Sequence, residues 1–408
     1  MARIIFMIDI EEGHLLPSFA LARSLKAAGH EVLYISILDN EDFVKNAGFG
    51  FHPLFERRYP KGFRDAYKQK KKEKGLHQSV SVVDHIEDFM HPSFTESLQR
   101  MKPDLLVMSS FLYVEALMLY YRNKIRPVLL RPFLREPGAT ITSDSIRHLM
   151  NLPAETAMKL FDLAVSFGYK FTSLADLVKP LESFYELVIC PKELEMEPDV
   201  KNSRTYYIGS GIDLSRYAGP ISFLQQSDRR IIYASLGSQA IAYRHLFEMF
   251  FEKITSIMSR PDMQDLHLVI AIGAENDVEK YSSPLDNVTI VKWISQMDVL
   301  KLASLAIVHG GLGTVKECIY HAVPMIIMPV THDQPTNGKR IAHHNLGLTL
   351  DIEKVSLDEV VKAIRQLLGS NDIKDNLHAM QSRFRKADEE NIGLAIIEKL
   401  LPQENIAV

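Results

Sequence analysis

K-W-I-S-Q-M-D-V-L at residues 292–300, the apolar run L-A-I-V at 305–308, H-G-G-L-G-T-V-K-E at 309–317 and P-V-T-H-D-Q-P-T-N-G-K-R at 329–340 decide the fold between them. The run at 305–308 reads as a buried strand, and glycines at 310, 311 and 313 follow it without a break, so the chain leaves the strand through a tight turn poor in side chains. Thr314 stands where it caps the next helix, whose first amides have no partner inside the helix. A helix start that glycines leave uncovered attracts a phosphate, because its N–H groups and dipole converge there. Val323-Pro324 ends the helix, since proline disfavours helical geometry in the residue before it. A second strand, 325–328, then delivers Asp333 and Gln334 just ahead of Pro335, a suitable opening residue for another helix. Open α/β sheets bind ligands at this carboxyl end of their strands.

The rest of the chain repeats that grammar twice. At 408 residues it exceeds one typical core, and its 46% hydrophobic and 24% charged content is that of an ordinary globular protein. The first series has strands at 3–8, 32–35, 105–108 and 128–130, a helix after the loop 9–14 with Leu16, Phe19, Ala20 and Leu25 on its apolar face, and a helix near 113–121. Strands at 187–189 and 206–208 close it. A second series opens at 231–234 with a turn at 235–238, a helix from about Arg244, and strands at 268–272 and 288–291. Helical patterns at 357–368 and 391–401 finish the chain.

Together these stretches resemble the donor-binding signature of the family-1 UDP-glycosyltransferases, closest to the bacterial macrolide-type members with H-G-G-x-G-T. The resemblance extends to G-H-L-L-P at 13–17 and to Y-A-S-L-G-S at 233–238. It implies the GT-B fold: α/β, two Rossmann-like doubly wound domains facing across a cleft, with the last helix crossing back to the first domain. The expected organisation is an acceptor domain at 1–217, a linker at 218–228, a nucleotide-sugar domain at 229–385 and the returning helix at 386–408.

His14 sits where the first strand gives out into a loop, and a neutral imidazole there is suited to take a proton from an acceptor hydroxyl. The resemblance makes it the catalytic base. The family seats an aspartate against this ring from a later strand, but reading along P-D-L-L-V-M-S-S-F at 103–111 that position falls at or beside Ser109, where no acid stands. Ser109 and Ser110 are then candidate orienters of His14, as are Asp84, Asp88 and Glu115, unless the ring works alone on an acidic phenol. Asp104 reads as structural.

On the donor side, the resemblance makes Trp293 the platform for the base and puts Gln296 near base or ribose. It assigns the diphosphate to Ser238, His309, Gly311, Gly313 and Thr314. Glu317 has two competing uses, a capping box with Thr314 and a grip on ribose hydroxyls. Asp333 and Gln334 match the pair that holds sugar hydroxyls, and the Gln leans toward glucose.

The implied activity is inverting transfer of a hexose, glucose first, from a UDP-sugar to a hydroxyl of an apolar small molecule. UDP-glucose or a related nucleotide sugar is thus a co-substrate. No cofactor and no metal are expected, the leaving charge being met by fixed donors. A non-catalytic nucleotide-sugar-binding auxiliary protein is the alternative. So is a transferase for a lipid-linked acceptor at the membrane surface, suggested by the basic stretch around Lys70, Lys71 and Lys72. Between 153 and 184, Met158, Leu160, Phe161, Leu163, Phe167 and Phe171 recur near helical spacing, as a core stripe or as acceptor walls. A net charge of -4 gives no general attraction for nucleic acid, no stretch suits stable membrane insertion, and Cys190 and Cys318 read as buried thiols of a cytoplasmic protein.

Overall fold

The computed structural model describes residues 1–67, 89, 91–150, 154–196, 204–225, 228–237, 243–273, 276 and 278–401. Chain contacts divide it into two compact units. The first holds Met1–Pro191, Glu197–Gly211 and Ala387–Val408, and the second Lys192–Met196 and Ile212–Lys386. The expected linker at 218–228 is therefore counted within the second unit. There Ala218 and Gly219 donate their backbone N–H groups to Asp298 at 2.6 and 3.2 Å.

Unit one is built on strands β1 (Arg3–Met7), β2 (Glu31–Ser36), β3 (Gly50–Pro53), β4 (Leu105–Ser109), β5 (Val128–Arg131), β6 (Glu186–Val188) and β7 (Thr205–Tyr207). They form one seven-stranded sheet in the order β3-β2-β1-β4-β5-β6-β7. Every pairing is parallel. Central strands of such a sheet are covered on both faces, hence the unbroken apolar runs; Ile4 to Met7 are fully buried. Helices α1 (Glu12–Leu15) and α2 (Ser18–Ala27) follow β1, and α3 (Tyr113–Asn123) follows β4. The order reverses between β1 and β4, which is the topological switch point where such sheets bind ligands.

Unit two repeats the plan with β8 (Arg230–Ser235), β9 (Leu266–Ala271), β10 (Val288–Val291), β11 (Ala303–Val308), β12 (Met325–Ile327) and β13 (Gly347–Thr349). Its six strands run β10-β9-β8-β11-β12-β13, so the reversal lies between β8 and β11. Around them lie α4 (Gln296–Leu300), α5 (Leu312–Tyr320), α6 (Gln334–His343) and α7 (Asn371–Glu389). The last helix, α8 (Ile392–Leu400), packs on unit one: Ile397 is buried in the cluster that holds Ile4, Phe6, Leu21 and Leu25.

Among the elements that escaped the sequence reading are β3, β13 and the 19-residue α7. Helix α7 is mostly polar and buries only Ile373, Leu377, Met380 and Phe384, a stripe too thin to stand out.

Candidate active site

At the switch point of unit one, β1 runs out at Met7, level with Met108 of β4, so the residues just beyond both strands share one sheet edge. Asp9 is the second residue past β1 and is buried. His14 lies on α1 and directs Nδ1 at Asp9 Oδ1, 2.7 Å away. An ionised carboxylate only accepts, so Nδ1 carries the hydrogen and the lone pair of the neutral ring sits on Nε2. Ser109 Oγ donates to the other Asp9 oxygen at 2.5 Å, and the Glu11 N–H donates to Oδ1 at 3.1 Å. Burial pushes the Asp9 carboxyl up, but His14 and these hydrogen bonds outweigh it and hold the group below its ordinary value. The Phe111 ring stacks on the His14 ring with centroids 4.1 Å apart and planes 10° from parallel. Phe133 follows at 5.0 Å from Phe111, extending an aromatic surface beside the imidazole.

This answers the open question of what orients His14, and corrects it. The acid on the ring is Asp9, the first residue of the loop 9–14, which the sequence reading did not single out. Ser109 acts on the ring through Asp9. Ser110 does not orient it, since its Oγ is buried with no hydrogen-bond partner. Glu115 is buried within α3, and Asp84 and Asp88 fall outside the described residues, as do Lys70, Lys71 and Lys72. Of the helical stripe, Leu160 and Leu163 are core, while Met158 and Phe167 are exposed. Cys190 and Cys318 are both buried thiols.

At the switch point of unit two, β11 ends into His309 and the glycine turn. The ring of His309 lies so near two glycines that a Cβ at Gly311 would come within 2.5 Å of its Nε2, and one at Gly237 within 2.6 Å of its Cε1. Gly237 also has φ +72°, a conformation other residues resist. Burial holds the imidazole down to about 4, with the Ser235 backbone pulling weakly the other way. His309 therefore faces the turn as a neutral ring, and its Nδ1 is buried with no hydrogen-bond partner. A Cβ at Gly313 would meet nothing within 4 Å, so the turn is open there.

Helix α5 begins at Leu312 with Gly311 as its N-cap and no side-chain cap, so Thr314 lies inside the first turn and, of the two uses weighed for Glu317, the capping box with Thr314 does not form. Its Glu317 carboxylate instead accepts from Arg216 Nη1 at 2.6 Å on one oxygen and from Gln296 Nε2 on the other. Gln296 also donates to Thr314 Oγ1 at 3.2 Å and accepts from Tyr233 Oη at 3.0 Å. Tyr233, Gln296, Thr314 and Glu317 thus form one network, to which Arg216 is an unforeseen addition. Trp293, just before α4, is 72% exposed. A large aromatic face open to solvent is unusual for the chain's sole tryptophan unless something covers it.

Asp333 and Gln334 stand at the start of α6. Gln334 is buried and its Oε1 accepts the backbone N–H groups of Val330 and Thr331 at 2.8 and 2.9 Å, shaping the loop it was expected to project from. Asp333 accepts from Asn337 Nδ2 at 2.9 Å. Ser238 falls outside the described residues.

Residues 278–396 match the family model for UDP-glucoronosyl and UDP-glucosyl transferases. An uncharacterized UDP-glucosyltransferase of Bacillus subtilis, YdhE, is 22% identical over 410 residues, 97% of each chain. Among solved structures, the glycotransferase of kitacinnamycin superposes with a TM-score of 0.76 at 22% identity, covering 98% of this chain and 99% of that one. The glycosyltransferase VinC, solved with DTDP, superposes at 0.67 with 17% identity over 97% and 99% of the two chains. These matches support a family-1 glycosyltransferase, an enzyme that transfers sugars, and the structural likeness shows the GT-B fold. No described helix is long and apolar enough to cross a membrane.

Proposed function

We propose that the protein is an inverting glycosyltransferase that moves a hexose, glucose first, from UDP to a hydroxyl of an apolar, flat acceptor, with no metal in the step. The observation that carries this reading is His14, tautomer fixed by Asp9, beside the Phe111 and Phe133 rings. The acceptor's O–H proton passes to Nε2 of His14 as its oxygen bonds to the anomeric carbon. The bond from that carbon to the diphosphate oxygen breaks, and the electron pair leaves with the nucleoside diphosphate. One displacement from the face opposite the leaving group inverts the centre.

Unit two supplies the donor contacts. Trp293 stacks on the base, Gln296 and Glu317 take the ribose, and the α5 start with His309 takes the diphosphate, His309 as a neutral N–H donor. Asp333 serves the sugar hydroxyls. Glu317, in accepting from both ribose hydroxyls, would favour UDP over dTDP, whose deoxyribose lacks the 2′-hydroxyl. A non-catalytic binder would need no acid on the His14 ring, and Asp9 there favours the enzyme.

A donor-by-acceptor screen read by mass spectrometry tests the proposal. UDP-glucose with phenolic and macrolide acceptors should yield a mass gain of one hexose, and NMR should give the β-anomer from an α-linked donor. Saturable UDP binding without product on any acceptor would reject the enzyme reading. Faster turnover of dTDP-sugars would reject the donor.

A further inference from the structure

We infer that Asp9, just past the end of β1, is the positioning residue for His14, with Ser109 at the end of the neighbouring β4 as its hydrogen-bond donor. The inference rests on the reading of His14 as base. Three observations carry it. Asp9 touches Nδ1 of the ring at 2.7 Å and is buried, so it is held where it fixes one tautomer and one ring orientation. Strands β1 and β4 are paired neighbours in register, Met7 against Met108, so an acid from either strand end reaches nearly the same point. Ser109 turns its hydroxyl onto Asp9 Oδ2 at 2.5 Å while accepting the Phe111 N–H at 3.3 Å, tying the acid to the residue whose ring lies on the imidazole.

The backbone beneath is braced for the purpose. Ser36 Oγ donates to the carbonyl of Ile8 at 3.0 Å, and Asn40 Nδ2 donates to Ser36 Oγ at 2.8 Å and to the carbonyl of Asp9 at 3.4 Å. The turn that presents Asp9 is thus pinned to β2 and to the segment after it. As the ring takes the acceptor's proton, the ionised carboxylate stabilises the positive charge without itself gaining a proton.

The test is a set of variants in the full chain: D9N, S109A, D9S and the relocated pair D9S/S109D. Thermal melting checks folding, and quenching of Trp293 fluorescence by UDP checks the donor site. D9N is expected to lower kcat on the order of 10² to 10⁴-fold, as loss of a carboxylate behind a catalytic histidine does, with UDP quenching unchanged. S109A should lose only several-fold. D9S/S109D should regain at least ten-fold over D9S, a rescue that a merely structural Asp9 would not give. D9N turning over near the wild-type rate, or a folded, UDP-binding D9S/S109D no better than D9S, would overturn the inference. H14A retaining turnover would overturn the base reading instead, and the two failures are told apart by that variant.

Discussion

Glu317 is held by a cation and an amide at once, and that arrangement governs what its replacement does. Arg216 on one oxygen and Gln296 on the other leave each oxygen a second lone pair for a ribose hydroxyl. Glu317→Gln removes the charge that anchors Arg216, and hydrogen bonds to charged groups contribute about 1.5–3 kcal/mol. UDP affinity should therefore fall roughly ten-fold or more, read from Trp293 quenching, while kcat at saturating donor changes little. Trp293→Phe, with UDP binding read by calorimetry because the sole tryptophan is gone, should weaken that affinity, and Gly311→Ala should displace His309, whose ring already fills the space a Cβ needs. The grouping of Gln296, Thr314 and Glu317 was legible because these residues lie in one short stretch of sequence. Asp9 and Arg216 were not: Arg216 meets Glu317 from 101 residues away, and Asp9, although only five residues before His14, is brought onto the ring by a turn that no apolar periodicity marks.

At the scale of elements, β1, β4, β8 and β11 announced themselves as apolar runs, and the switch points followed from their pairing. What failed were boundaries and thinly amphipathic pieces. The helix expected to be capped by Thr314 starts at Leu312, with Gly311 as its N-cap. Helix α8 shows how strongly a terminal element is tied to unit one. Asp388, just ahead of it, accepts from Ser210 N at 2.6 Å and Ser210 Oγ at 2.7 Å, and Gly209, with φ +97°, lies so near that a Cβ would come within 2.5 Å of the Asp388 carboxylate. Gly209→Ala should thus be strongly destabilising. Ile397→Ala, which empties a fully buried position, should cost about 2–5 kcal/mol in chemical denaturation.

For the whole molecule, the pH dependence of stability follows from histidines kept neutral by the fold. Burial holds both His309 and His321 at about 4, with Lys301 and Arg385 adding to the effect at His321. An unfolded histidine titrates near about 6.5. Between those values the unfolded chain binds protons that the folded chain refuses, so stability is full above about 6.5 and falls as pH drops toward 4. Denaturation midpoints at pH 7.5, 6 and 5 should decline in that order, and His321→Asn should flatten part of the slope. Asp9 runs on a separate, lower window: its depressed carboxyl keeps its contribution until pH falls below the ordinary carboxylate range.

The central claim, that His14 takes the acceptor's proton, is tested most directly by single-turnover kinetics of His14→Ala with UDP-glucose and an alcohol acceptor found in the screen. Loss of roughly 10²-fold or more in the chemical step, with Trp293 still quenched by UDP as in the wild type, is the predicted result; turnover close to wild type would contradict the account.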